Sequence, residues 1–411
     1  MPTRPAHGCP GLLVLAFIVA MTMPGMAQAE DDPAVNYVLA DLPGELLVYE
    51  SNRFWIKPII AVVGDYTWFE QDDASIAQVG VQDDSADLRA ARMGFALRSK
   101  GSYPWDFFFA VDYQEQRTRQ KELFQLYDLR LRLPIGPVKL DIGKMKQPFS
   151  YEIGGLSILK PNQERILSPF FVTRSIGAMV SGQAAGDRMT WAVGWFNDWL
   201  ESNATFADNA NDYVARMTGL VSVSPDNRDY LHVGLGVRRA GPDSDFFQLS
   251  GRPESNVADR YVDTGSFTGD FVAEVGIDVA WDTGPFLFVA EHVEARAKSA
   301  ENGNPRFTGD YLMASWVVTG ESRPYHRPTG TTGLITPASR YGAIELVVRY
   351  TRLDMNDEPI NGGELRKWHF GANWWVSPQW KVGLSWGDAD LDRDDLTGKT
   401  TMLLFRLQWY Y

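Results

Sequence analysis

The amino-acid sequence predicts an all-β protein, a transmembrane antiparallel β-barrel of about 16 strands with an inward-folded constriction loop. Three observations carry that expectation. Segments of roughly 10 residues alternate apolar and polar positions from Arg53 onward. Short connections alternate with long polar ones, as the two rims of such a barrel require. The last residues, "FRLQWYY", put Phe405, Leu407, Trp409 and Tyr411 on one strand face and Arg406, Gln408 and Tyr410 on the other.

The opening thirty residues are of another kind. Arg4 precedes an apolar run from Gly11 to Ala20, and Ala27-Gln28-Ala29 is a small-x-small cleavage site. This is the pattern of a secretory signal peptide over 1–29. Residues 30–52 are expected to be a periplasmic arm, and 53–411 the barrel. Cleavage after Ala29 removes Cys9, the only cysteine, and leaves 382 residues (411 − 29) without a thiol. Disulfides, thiolate metal sites and cysteine nucleophiles are then excluded. The same cut removes one base, leaving 38 bases against 52 acids, a formal net charge of −14 that disfavours nucleic acid. No later apolar stretch approaches 18 residues, so helical spans are excluded. Aromatic residues make up 13% of the chain, with 14 Trp, which suits interfacial girdles better than one core.

Taken in order, the alternating segments fall near 53–69, 87–99, 105–116, 121–133, 138–144, 174–183, 188–197, 211–223, 229–239, 270–282, 284–296, 307–318, 341–352, 365–376, 378–388 and 398–411. Short connections include "KGSYP", "PIGP", "AAGD", "SPDNR" and "DTG". The long ones are expected at 70–86, 145–173, 198–210, 240–269, 353–364 and 389–397. The stretch 319–340 is long where a short turn is due.

Alternation also assigns faces. In "DFVAEVGIDVAW", Phe271, Ala273, Val275, Ile277, Val279 and Trp281 oppose Glu274, Gly276 and Asp278. A Lys or Arg facing lipid at mid-membrane costs roughly 2–4 kcal/mol, so the charged face is the lumen, expected to be polar and water-filled. That face carries eleven bases: Arg92, Arg98, Arg130, Arg132, Lys139, Arg216, Arg238, Arg349, Lys367, Lys381 and Arg406. Six acids share it: Asp112, Asp128, Asp141, Glu274, Asp278 and Glu345. The lumen is expected to be basic although the chain is acidic, which favours anions; the alternative is that these bases are ion-paired and stiffen the wall.

The four histidines after the signal, His232, His292, His326 and His369, show no metal-ligand spacing. Asp388, Asp390, Asp392 and Asp394 read as a solvated loop, with calcium as the lesser alternative because an EF-hand's turn glycine and terminal glutamate are missing. No metal, cofactor or enzymatic activity is expected. A barrel hydrolase would need a Ser–His pair on the lipid-facing rim, where only His292 has the right parity.

The stretch "VKLDIGKMKQPFSYE" resembles the phosphate-selective porin O/P family in its G-[KR]-x-x-x-x-F pattern, here Gly143, Lys144 and Phe149. "NQERILSPFFVTRSIGAMVSG", "GDYLMASWVVTGESRPY" and "AIELVVRYTRLD" are similar to later parts of that family, including a T-G-E-x-R turn that accounts for the long connection at 319. The resemblance covers 53–411. It implies a homotrimeric channel in the outer membrane of a Gram-negative bacterium, passing small anions, phosphate or polyphosphate among them, and narrowed by the loop 145–173. The alternatives are an occluded structural barrel or a general porin without anion preference. The family's Glu-Arg pair matches Glu164 and Arg165, and its basic second-strand position matches Arg89. With Lys146 and Lys160, Glu164 and Arg165 are the candidate constriction residues. Ile153 and Ala90 stand where the phosphate-selective members carry bases, which implies weak phosphate selectivity.

Overall fold

The computed structural model describes residues 49–113, 124–197, 209–242 and 246–411. Sixteen antiparallel strands follow one another around a single sheet: β1 (Phe54–Gln71), β2 (Ser85–Ser99), β3 (Asp106–Tyr113), β4 (Phe124–Ile135), β5 (Val138–Met145), β6 (Ser175–Ala184), β7 (Met189–Asn197), β8 (Asn209–Val223), β9 (Tyr230–Pro242), β10 (Phe271–Thr283), β11 (Phe286–Lys298), β12 (Arg306–Val317), β13 (Ala343–Asp357), β14 (Ile360–Trp375), β15 (Trp380–Arg393) and β16 (Leu396–Tyr410). The first pairs with the last, from Ala61 opposite Tyr410 to Gln71 opposite Thr400, and this seam closes the barrel. Closure leaves no sheet edge to expose unpaired backbone to hydrocarbon. Of the expected arm, Tyr49 and Glu50 pair with Ile56 and Trp55 of β1. The expected signal peptide lies outside the described residues.

The faces fall as alternation requires. Trp281, Trp316, Trp368, Trp374, Trp380, Phe405 and Leu407 are exposed on the outer face, while Arg406, Gln408 and Tyr410 are buried within. Arg89 does not follow simple parity. The register between β1 and β2 slips at Val63/Gly64, where Ala90 and Leu88 are the neighbouring partners and Arg89 is the bulged residue. A bulge re-aims a side chain, and here it turns Arg89 into the lumen.

Two expected long loops are tight hairpins instead. β13 and β14 are joined by Glu358-Pro359, and β15 and β16 by Asp394-Asp395, both of which have positive φ as a two-residue turn needs. The expected loops 353–364 and 389–397 are therefore mostly strand. Their outward residues are charged (Arg352, Asp354, Asp390, Asp392) and their inward ones apolar and buried (Leu353, Met355, Leu391). Asp388, Asp390 and Asp392 thus sit on a strand's outer face and not on a loop; Lys399 pairs with Asp390 at 3.4 Å.

Three connections turn inward. The segments 146–174 (after β5) and 246–268 (after β9) enter from the loop rim, and 318–342 (after β12) enters from the turn rim. The first puts Phe149, Ile153, Ile166, Leu167, Phe170 and Phe171 against inner-face residues of β10–β13, such as Val289, Val293, Phe307 and Val347. Each such side chain stabilises the docked segment by roughly 1.5–3 kcal/mol. The lumen is therefore not uniformly polar, contrary to the reading from alternation. Opposite the charged walls it carries apolar residues, because that side packs on folded chain and not on water.

Candidate functional site

The inward segments are fastened by carboxylates that reach wall bases. Glu164 accepts from Arg89 (Nη2 at 2.9 Å, and Nε) and from Arg406 Nη2 at 2.6 Å, while Arg406 also forks onto Asp65 at 2.6 and 2.7 Å. Glu152 accepts from the Ile166 and Leu167 N–H groups and pairs with Arg349. Glu254, from the second segment, pairs with Lys367 at 2.9 Å and Arg349 at 3.2 Å. Burial pushes the Glu164 carboxyl up, but Arg89 and Arg406 override it and hold it well below the usual carboxylate range. Glu254 is likewise pushed up by burial, yet Lys367 and Arg349 hold it down at about 2. A depressed carboxyl stabilises the fold above its unfolded pKa and loses that contribution as pH falls through the folded value. Both fasteners hold throughout the neutral range.

Close backbone approach completes the docking. The Arg216 Nη1 group donates to the Phe149 carbonyl at 3.0 Å, and a Cβ on Gly236 would stand 1.9 Å from that same oxygen. Only glycine there lets the segment lie flat on β9. From the turn rim, Arg323 ties Glu345 (2.6 Å) to the Leu159 carbonyl (2.8 Å), and the Tyr151 hydroxyl bonds Thr332 at 3.2 Å. Segments entering from opposite rims therefore meet inside the barrel.

All eleven bases expected on the lumen face are there, but they divide into two groups. Arg238 (with Asp212 and Glu274), Arg349, Lys367, Lys381 (donating to the Lys160 carbonyl at 3.1 Å) and Arg406 are buried under the inward segments. Arg132 is buried too, forked on Asp141 at 2.7 and 2.9 Å. Arg92, Arg98, Arg130, Lys139 and Arg216 keep part of their surface open. In this group the base is more exposed than the acid behind it: 13% against 2% for Arg92 and Asp112, 25% against 12% for Arg98 and Asp106, 18% against 0% for Arg130 and Asp141, and 10% against 1% for Arg216 and Asp278.

The expected constriction residues lie on the first segment. Lys146 donates to the Ile153 carbonyl (3.2 Å) and to Gly155, and burial with Arg165 and Arg174 nearby lowers its pKa well below the usual lysine value. Lys160 is buried over the Tyr151 ring, and burial lowers it to about 7. Arg165 donates to the Glu152 carbonyl at 3.1 Å and stays partly exposed. Alternation missed Tyr127, which has Arg92 and Arg174 over its ring at 4.0 and 3.5 Å. It also missed six buried lumen acids, Asp65, Asp87, Asp106, Asp212, Asp282 and Glu291. With these, strand acids nearly match strand bases, so the basic inventory expected from sequence is corrected to a nearly balanced one. Asp106 and Asp282 lie at or near strand ends, where alternation is hardest to anchor, and Asp65 follows the apolar run 58–64 of its strand.

The family model described as phosphate-selective porin O and P matches residues 62–411. The chain belongs to that porin family. Its curated relative Porin O of Pseudomonas aeruginosa is 26% identical over 160 residues, which is 34% of this chain and 36% of that protein. The chain thus aligns with about a third of that relative's length. Among solved structures, the anion-selective porin from Comamonas acidovorans superposes with a TM-score of 0.54 at 10% identity, covering 87% of this chain and 100% of that one. The trimer form of OmpT of Vibrio cholerae gives 0.54 at 10% identity, with 88% and 100% covered. These two likenesses establish the shared barrel fold. Family membership places the chain with porins of the outer membrane.

Proposed function

We propose that this porin passes small anions along the inner wall of β2–β5, between that wall and the segment 146–174. The observation that carries the reading is the orientation of the wall's ion pairs. At Arg92, Arg98 and Arg130 the guanidinium stands forward of its carboxylate. Charge inventory is nearly balanced, but an ion in the passage meets the positive end of each pair first, and a low-dielectric wall strengthens that field. Arg165 and Arg89 extend the same surface onto the segment and the β2 bulge. The buried bases on β13–β16 hold the inward segments instead of meeting solute.

Phosphate is expected to pass without tight binding. Ile153 is buried in the apolar cluster, so this step of the segment offers no base, and Ala90 is buried beside Arg89. In planar bilayers, replacing both Arg98 and Arg130 with Ala should lower the anion-to-cation permeability ratio several-fold. Phosphate added to chloride should block weakly. An unchanged ratio would remove these arginines from the passage, and tight block would mean a phosphate site built from other residues. A homotrimer of such barrels is expected, supported by the family resemblance and by the trimer form of the OmpT fold relative. Light scattering in mild detergent that shows only monomers would contradict this.

A further inference from the structure

Three arginines of the passage wall each stand beside a ring. Toward the loop rim, Tyr127 is the bulged residue where the register between β3 and β4 slips at Ala110/Val111, and it carries Arg92 and Arg174 over its ring at 4.0 and 3.5 Å. Two guanidiniums that close to one ring centre take both of its faces, so this ring is closed to a solute. Nearer the turn rim the rings are open. Phe108 faces the lumen between Ala96 of β2 and Arg130 of β4, with the Arg130 guanidinium carbon 5.7 Å from its ring centre. One inward step further, Arg98 lies between Trp55 of β1 and Asp106 of β3. Phe108 and Trp55 are half-buried, and both pack on an apolar cluster that holds Ala90 and Ala96 and also receives Leu156 and Leu159 from the inward segment.

Rings and leucines do nothing for a hydrated inorganic ion, which sheds water against them without gaining hydrogen bonds in return. They suit a solute that is itself apolar over part of its surface. At Arg98 and Arg130 the guanidinium stands forward of its carboxylate, with Trp55 and Phe108 as the respective strand neighbours. A guanidinium's planar fork matches a carboxylate, and the ring beside it offers an apolar face to whatever that carboxylate is attached to. The solute that uses both halves of each pair has one anionic group joined to a flat apolar body.

We infer that the passage prefers carboxylates that carry an apolar ring, with Arg130 and then Arg98 holding the carboxylate while Phe108 and then Trp55 accept the ring. The inference rests on the anion-passing reading and narrows it to a solute class. The test is the bi-ionic potential of the protein in a planar bilayer with potassium benzoate on one side and potassium acetate on the other, at alkaline pH, where both acids are ionised. By size alone benzoate would be the less permeant anion. The wild type should instead pass benzoate several-fold more readily than acetate. Replacing both Phe108 and Trp55 with Gln should bring the benzoate-to-acetate ratio below one, whereas Phe109→Leu, on the outward face of the same strand, should leave it unchanged. If the double variant fails to assemble, the wild-type potential still decides. A wild-type ratio below one, a ratio that survives in the double variant, or an equal fall in Phe109→Leu would each overturn the inference. A potassium chloride gradient across the same bilayers separates the two claims. An anionic reversal potential with benzoate the less permeant anion removes the solute class and leaves the anion passage, and a cationic potential removes both.

Discussion

Removing Trp409, Tyr410 and Tyr411 will abolish assembly of the barrel. Tyr411 exchanges both backbone hydrogen bonds with Ile60, at 2.7 and 3.1 Å, and Tyr410 lies opposite Ala61. Trp409 pairs with Val62 and its ring lies 6.2 Å from that of Trp380. Without these residues Ile60, Ala61 and Val62 of β1 would lose their β16 partners, leaving free N–H and C=O groups at the seam. Each such group costs several kcal/mol where no water can replace the partner. The expected outcome is no heat-modifiable species in the outer-membrane fraction. A normal shift between unheated and boiled samples would show that the β1–β16 seam does not depend on its terminal pairs.

Glu164→Ala is expected to release the segment 146–174. The carboxylate is the shared partner of Arg89 and Arg406, and its removal leaves two cations facing each other with only Asp65 between them. Breaking a buried ion pair on one side costs about 3–5 kcal/mol. Glu164 keeps a little solvent contact, so a value near the lower end is expected. The apparent melting temperature should fall, and single-channel current should become larger and noisier as the segment leaves the wall. Replacing the exposed Glu70 should do neither. Unchanged stability with quiet, unaltered current would mean that apolar packing of Phe149, Ile166 and Phe170 alone holds the segment.

The barrel could be read from the sequence because one chemical contrast, apolar outside and polar inside, repeats at period 2 through most strands. The reading failed where the contrast inverts. Along Arg352-Leu353-Asp354-Met355 and Asp390-Leu391-Asp392 the alternation persists, but above the membrane the outer face meets water and the inner face meets folded chain. Polar outward residues then look like loops. The bulge at Arg89 was hidden for a related reason, since one extra residue shifts parity without leaving a mark in composition. The site was readable as an inventory of residues and not as a network. Alternation placed Arg349, Lys367 and Arg406 correctly on the lumen face. Their use as anchors depends on Glu152, Glu164 and Glu254, which lie far away in the chain and reach them only when the segments fold inward.

The central claim is that an acidic chain with nearly balanced lumen charge presents a positive passage. The most direct test is the reversal potential of the unmodified protein in a planar bilayer under a potassium chloride gradient. A potential of anionic sign is expected, shrinking as salt is raised on both sides and the Debye length shortens. A potential of cationic sign would contradict the account, because the carboxylates and not the guanidiniums would then be facing the permeating ions.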